Sequence, residues 1–153
     1  MIEVKGDLWT MSPDETPALK LITTNGERRK DGACVMGRGC AREAREMVPG
    51  IDYKLGELLG EYGNRVFRLA AVPGEAGSHL GSFPVKHSWR DRAEPKLIRR
   101  SAHQLVELAD SFGYAEIFLP RPGAGNGSLD YFSDVQPVLE EVLVSNRFRI
   151  VTF

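Results

Sequence analysis

The stretch LPRPGAGNGSLD, residues 119–130, decides the fold prediction because it joins a strand-like segment to a helix-like one. The apolar run 115–119 leads into it, and a helical pattern starts near Ser133. Between them lie three glycines in alternating positions: Gly123, Gly125 and Gly127. In α/β proteins, free backbone N–H groups and a helix N-terminus bind phosphates at such a junction. The spacing is neither Walker A nor the dinucleotide fingerprint, so a glycine-rich turn that only connects two elements is the alternative.

Strand-like and helix-like segments alternate along the rest of the chain. We predict strands at 2–5, 18–24, 65–72, 79–85, 115–119 and 148–153, and helices at 39–47, 53–62, 94–112 and 133–144. The helix 94–112 has the clearest apolar stripe and a C-cap at Gly113, and Ser133 is the predicted N-cap of the last helix. This alternation predicts one α/β domain over residues 1–153, a three-layer α/β/α fold with a mixed central sheet.

Composition narrows the function classes. The chain has 20 Lys and Arg against 21 Asp and Glu, a net charge of −1, so no global field favours nucleic acid or a membrane. Its two cysteines, Cys34 and Cys40, do not form a zinc or disulfide pattern, and we predict reduced thiols, no metal and no cofactor. With neither a long apolar run nor a signal-peptide pattern, the sequence predicts a soluble, cytoplasmic, monomeric protein.

Four separated segments form a recognisable pattern: KGDL at 5–8, TTNG at 23–26, VMGRGCA at 35–41 and the stretch 119–130. In this order and spacing the chain resembles a macrodomain, the fold that binds ADP-ribose, and the resemblance covers nearly the whole chain. With FPVK at 83–86, it is most similar to the branch that holds the terminal ADP-ribose glycohydrolases and the antitoxins that remove ADP-ribose from DNA.

The resemblance implies an ADP-ribose crevice at the strand ends. Asp7 then accepts a hydrogen bond from the adenine amino group, beside the Leu8 backbone, and Asn25 binds the distal ribose. The glycine-containing segments 35–41 and 119–130 bind the two phosphates. The implied ligand-binding residues are Asp7, Leu8, Asn25, Gly37, Arg38, Gly39, Cys40, Pro120, Gly123, Ala124, Gly125, Asn126, Gly127 and Phe153. Taken alone, Asp7 and Asn25 equally suit turns, Asn126 suits a left-handed conformation, and Phe153 suits core packing.

Lys86 and Asp130 match the catalytic pair that the resemblance implies, a lysine that attacks the distal ribose and an aspartate that assists. The alternatives are an exposed lysine in a basic segment and an aspartate that caps the following helix. His87, Trp89, Arg90 and Arg92 place an aromatic residue inside that basic segment, which predicts either contact with nucleic acid or a solvated helix entry.

Three functions follow from this pattern. The first is removal of ADP-ribose from protein carboxylates or DNA bases through Lys86 and Asp130. The second is a module that binds ADP-ribose without turnover, and the third is a phosphatase acting on ADP-ribose-1″-phosphate. The ligand in all three is ADP-ribose, free or attached to protein or DNA.

Overall fold

The computed structural model describes residues 1–152, and within them six strands form one sheet. The strands are β1 (Ile2–Lys5), β2 (Ala18–Thr24), β3 (Phe67–Ala71), β4 (Ser78–Pro84), β5 (Glu116–Pro120) and β6 (Phe148–Thr152). The helices are α1 (Gly39–Met47), α2 (Ile51–Tyr62), α3 (Pro95–Phe112) and α4 (Gln136–Val142), the last preceded by a π-helical turn at Tyr131–Val135. Phe153, a predicted ligand residue, lies outside the described residues.

The sheet has the order β1-β6-β5-β2-β4-β3, and all neighbouring strands are parallel except the antiparallel pair β3 and β4. The mixed sheet that the sequence predicts is therefore confirmed. Because β1, β2, β4, β5 and β6 run in one direction, their carboxyl ends lie at one edge of the sheet, and the loops after them meet there.

Helices cover both faces of the sheet, because side chains alternate along the strands. Leu19 and Leu21 of β2 pack in a core with α3 and α4, whereas Ile22 packs in a second core with α1 and α2. The central strand β2 is buried on both sides, as is typical of a parallel strand between two helix layers. The three-layer α/β/α prediction is confirmed.

Lys20 is a fully buried cation in the middle of this core strand. Its Nζ donates to the Met11 carbonyl oxygen at 2.6 Å and lies 3.0 Å from a Glu75 carboxylate oxygen. A buried charge is tolerated only when it is paired and hydrogen-bonded. Lys20 therefore fastens two loops, one before β2 and one between β3 and β4, to the sheet.

The last helix corrects one prediction. Ser133 is not its N-cap, because the helical segment starts two residues earlier, at Tyr131, and the cap is Asp130. An Asp130 carboxylate oxygen accepts from the Ser133 N–H at 2.9 Å, and the Asp130 N–H donates to Asp134 at 2.9 Å. Ser133 thus lies in the first turn, where its own N–H needs an acceptor.

Two glycines of α2 give a matched test of the packing. An added Cβ at Gly56 would overlap the Gly32 carbonyl oxygen, whereas one at Gly60 would meet only the far end of the Arg28 side chain, 2.7 Å away. We predict that Gly56→Ala lowers the free energy of unfolding by about 1–3 kcal/mol through overpacking. Gly60→Ala is expected to raise it by up to about 1 kcal/mol, because alanine favours the helix. Chemical denaturation of both variants measures these changes in the free energy of unfolding. Equal changes in the two variants would contradict this packing.

Candidate functional site

The edge of the sheet where the parallel strands end carries a cavity of about 790 Å³. The segments after β1, β2, β4 and β5 line it, together with the start of α1. Ligands of open α/β sheets bind at this edge, and the volume is typical of a pocket for a small molecule or cofactor.

Most of the residues that the sequence singles out lie around this one cavity. Those that line it are Asp7, Leu8, Asn25, Gly37, Arg38, Gly39, Cys40, Lys86, Pro120, Gly123, Gly125, Asn126 and Gly127. Ala124 and Asp130 are not among the lining residues. What each residue binds remains a prediction at this point, because the geometry gives position and not ligand.

The cavity also has lining residues that were not predicted individually as ligand-binding residues, although six of these eight lie in the segments quoted above: Trp9, Thr23, Thr24, Val35, Met36, Asp91, Arg121 and Ser128. Most of them are direct chain neighbours of predicted positions. Thr23 and Thr24 are the last two residues of the predicted strand 18–24, directly before Asn25. Asp91 follows no local pattern, since it reaches the cavity only through the fold.

One wall is the beginning of α1, where residues 37–41 line the cavity. Arg38 is the N-cap residue and makes no side-chain hydrogen bond to the helix. The first N–H groups of a helix have no partner within it, and they sit at the positive end of the helix dipole. This wall can therefore accept an anion through its backbone N–H groups.

The glycine loop 123–127 also lines the cavity, next to the start of α1, where a Cβ on Gly39 would lie 3.3 Å from the Asn126 side chain. Gly123 has a φ of +76°, and its carbonyl oxygen accepts from the Leu129 N–H at 2.9 Å. A Cβ on Gly127 would lie 2.6 Å from that same oxygen. A Cβ on Gly125, by contrast, would have no described atom within 4 Å, so the missing side chain leaves cavity volume.

Asp7 and Asn25 both make the turn contacts that were the alternative for them. An Asp7 carboxylate oxygen accepts from the Trp9 N–H at 2.9 Å. The Asn25 amide donates to the Val35 carbonyl at 3.0 Å and accepts from the Glu27 N–H at 3.0 Å. Because an amide has two N–H donors and a carboxylate has two oxygens, each side chain keeps capacity for a ligand.

Lys86 lies at the cavity with its side chain partly buried and its Nζ donating to the Trp89 carbonyl oxygen at 3.1 Å. Burial lowers the pKa of Lys86 below its ordinary value, and the positive charge of Arg38 lowers it further. The negative charge of Asp91 acts in the opposite direction and raises the pKa of Lys86. A lysine with a lowered pKa is neutral in a larger fraction of molecules, and only the neutral amine is a nucleophile.

Asn64 holds the backbone that carries Lys86, a role that the sequence interpretation missed. Its side-chain nitrogen donates to the Lys86 carbonyl at 3.1 Å and lies 3.4 Å from His87 Nδ1. A Cβ on Gly26 would come within 2.8 Å of this amide, so a glycine is needed beside it. The only local signal was a Gly63-Asn64 helix end, which gives no sign of a contact across the fold.

Asp130 is exposed and has a structural partner in the helix cap described above. The backbone N–H and the side chain of Ser133 lower the pKa of its carboxyl group below the ordinary value. The group is therefore a carboxylate at neutral pH, which suits it to accept a hydrogen bond or a proton and not to donate one. Its cap role was one of the two alternatives for this residue.

Three of the four residues singled out in the basic segment after β4 line the cavity, and one does not. Trp89, Arg90 and Arg92 line the cavity, and Trp89 is 42% exposed with the Arg90 guanidinium 5.1 Å from its ring centre. Arg92 donates to the Ser128 carbonyl at 3.1 Å and so joins this segment to the glycine loop. His87 is not a lining residue, and its Nε2 lies 3.6 Å from a Glu94 carboxylate oxygen.

Both cysteines are free thiols, and burial raises the pKa of Cys34 to about 12 and also raises that of Cys40. Within residues 1–152, no group of three or more His, Cys, Asp or Glu side chains is placed to hold a metal ion. In the same residues, no helix combines the length and the apolar character that crossing a membrane requires.

Known structures share this architecture. The macrodomain of Mycobacterium tuberculosis DarG superposes with a TM-score of 0.76 at 22% identity, over 98% of this chain and 95% of that one. The macrodomain of Thermus aquaticus DarG gives 0.74 at 24% identity, over 99% of this chain and 96% of that one. Thermosipho africanus DarTG, solved in complex with ADP-ribose, gives 0.76 at 19% identity over 98% of this chain and 41% of that one.

These similarities show that the chain has the macrodomain fold, as the resemblance in sequence implied. No family model matches the sequence, and no curated protein sequence matches it. Identities of this size establish the fold and leave the chemistry to be argued from the residues of this chain.

Proposed function

We propose that this protein binds ADP-ribose in the cavity and removes it from modified macromolecules, with Lys86 as the nucleophile. The observation that carries the proposal is that the start of α1, the glycine loop 123–127 and a lysine of lowered pKa meet at one cavity. A macrodomain that only binds needs the walls but has no use for the lysine. The complex of Thermosipho africanus DarTG with ADP-ribose supports this choice of ligand.

The ligand fits the chemistry of the cavity from end to end. The pyrophosphate binds to N–H groups of the α1 start and of the loop 123–127, both of which line the cavity. Asp7 offers its second carboxylate oxygen to the adenine amino group, and Asn25 offers its remaining N–H to a ribose hydroxyl. The distal ribose then lies toward Lys86, which follows β4 on the same edge.

The reaction uses the neutral amine. The Lys86 lone pair forms a bond to the anomeric carbon of the distal ribose as the bond from that carbon to the acceptor breaks. The acceptor leaves with the bonding electrons and takes up a proton. Loss of a proton from nitrogen and opening of the sugar ring give an imine, and water hydrolyses it to release ADP-ribose and the free lysine.

The acceptor side of the site is the exposed mouth with Trp89, Arg90 and Arg92. An aromatic ring next to guanidinium groups suits a nucleic acid, because the ring can stack on a base and the guanidinium groups can bind phosphates. A modified protein carboxylate needs neither a stacking surface nor several cations. We place the activity in the cytoplasm, where free thiols such as Cys34 and Cys40 remain reduced, and we propose that a monomer carries it.

Binding is tested by isothermal calorimetry with ADP-ribose. We expect the wild type to bind in the micromolar range and Gly125→Val to bind at least about tenfold more weakly, a loss of about 1.4 kcal/mol. The valine enters open cavity space and meets no strained φ, so the melting temperature is expected to stay close to that of the wild type.

Ala124→Val is the control for this experiment, because the neighbouring residue does not line the cavity. It is expected to keep its affinity for ADP-ribose. A folded wild type that does not bind ADP-ribose would refute the proposal, and unchanged affinity in Gly125→Val would mean that the loop only connects β5 to the last helix.

Turnover is tested with ADP-ribosylated protein and ADP-ribosylated DNA in parallel. We expect Lys86→Ala to abolish release of ADP-ribose from the accepted substrate while its ADP-ribose affinity stays within a few-fold, because a nucleophile acts mainly in the transition state. Activity is expected to fall as the pH drops through the lowered pKa of Lys86, since protonation removes the nucleophile. Arg38→Ala removes one cause of the lowering and is expected to move this midpoint to higher pH.

The variant Asp130→Asn distinguishes a catalytic role of Asp130 from its role as a helix cap in the same assay, because asparagine caps helices about as well as aspartate. If Asp130 takes part in the reaction, Asp130→Asn keeps the wild-type melting temperature and loses turnover. If it only caps, Asp130→Asn stays active. Full activity in Lys86→Ala would rule out the lysine mechanism, and phosphate release from ADP-ribose-1″-phosphate by that variant would indicate the phosphatase.

A further inference from the structure

We propose that the outer face of α3 binds the phosphate backbone of a single nucleic-acid strand and leads that strand to the cavity mouth. A shallow groove of about 460 Å³ on this face, here called the α3 groove, is lined by five basic side chains and one acidic one: Arg65, Lys96, Arg99, Arg100, His103 and Glu107. The inference deepens the proposed function, because it names the acceptor class for the same site, but its binding step does not need ADP-ribose.

Charge is concentrated on this part of the chain. Residues 86–103 contain six of the 20 Lys and Arg residues and two of the three His residues, against two acidic residues. The protein as a whole has a net charge of −1, so other regions carry the balancing acids. A local positive field in an otherwise near-neutral protein is what a polyanion-binding face requires.

Most of the arginine and lysine charges of the α3 groove are not paired with a carboxylate, although Glu107 also lines the groove. Among residues 1–152, no ion pair involves the side chains of Arg65, Lys96, Arg100 or His103. Only Arg99 on the same face is neutralised, by Glu141. The positive charges of Arg65, Lys96 and Arg100 outnumber the single carboxylate of Glu107 in the groove, and phosphates spaced along a strand would relieve the repulsion between them.

The α3 groove is connected to the catalytic lysine by two hydrogen bonds. Arg100 donates to the Asn64 backbone carbonyl at 2.9 Å, and the Asn64 side chain donates to the Lys86 carbonyl at 3.1 Å. A strand held in the groove therefore arrives next to the segment that carries Lys86. Trp89, exposed at the cavity mouth, offers a face on which a base can stack.

A single strand suits this path better than a duplex. The modified nucleotide has to present its ADP-ribose to the cavity, and a base in a duplex would first have to leave the stack. Unpaired bases are free to stack on an aromatic side chain while the backbone follows a basic groove, which is the usual arrangement for single-strand binding.

The test measures binding of an unmodified oligothymidine of about 12 nucleotides, a length within the usual site size for single-strand binding, by fluorescence anisotropy at several salt concentrations. The variant is Arg65→Ala/Lys96→Ala, chosen because neither side chain makes a hydrogen bond or an ion pair among the described residues. We expect about tenfold weaker binding, and a shallower dependence of log affinity on log salt, by about 1.4, for two lost phosphate contacts. ADP-ribose affinity is expected to stay unchanged.

Lys30→Ala/Lys54→Ala is the matched control, because it removes two exposed positive charges outside the groove. It is expected to leave oligothymidine affinity within twofold. An equal loss in both double variants, or an unchanged salt dependence in Arg65→Ala/Lys96→Ala, would overturn the inference. If the alanine double variant lowers the melting temperature, Arg65→Gln/Lys96→Gln replaces it, because glutamine removes the charge and keeps much of the side-chain length. The same loss of oligothymidine affinity is expected for it. Failure of the wild type to bind ADP-ribose would refute the proposed function alone, since the oligothymidine carries none.

Discussion

The parallel pairing of β2 with β4 on one side and β5 on the other is the constraint on which the rest of the structure depends. It brings the ends of three strands, far apart in sequence, to one edge of the sheet. The segments that begin at Asn25, Val85 and Arg121 therefore meet at one cavity. Burial of β2 on both faces stabilises this arrangement, because slipping its register by one residue would exchange Leu21 and Ile22 between two different cores.

Backbone groups and basic side chains are concentrated in different parts of the site. In the proposed function, the cavity walls at α1 and at the loop 123–127 bind an anion through backbone groups, which the near-neutral charge of the protein does not prevent. The cavity mouth and the α3 groove carry the side-chain cations instead. Lys86 lies between these regions, partly buried and held through Asn64. In this account, backbone groups bind the nucleotide, basic side chains bind the acceptor strand, and one lysine acts where the two meet.

Local patterns predicted the elements of the fold well. The helix at residues 39–47 has the predicted bounds, and α3 starts one residue later than predicted, since its apolar stripe and the Gly113 cap are local signals. The start of the last helix was misplaced because Ser133 and Asp130 are both good caps, and only packing decides between them. Asn64, Asp91 and the ion pair of Lys20 depend on contacts between distant segments, which no local pattern contains.

The most direct test of the central claim is reductive trapping during turnover, because the claim is that Lys86 bonds to the distal ribose. The protein is incubated with an ADP-ribosylated substrate in the presence of borohydride, and the adduct is located by peptide mass spectrometry. The account predicts one ADP-ribose adduct, on Lys86, that is absent when an excess of ADP, which has no distal ribose, occupies the cavity. Turnover without any adduct on Lys86, or an adduct spread evenly over exposed lysines such as Lys30 and Lys54, would contradict it.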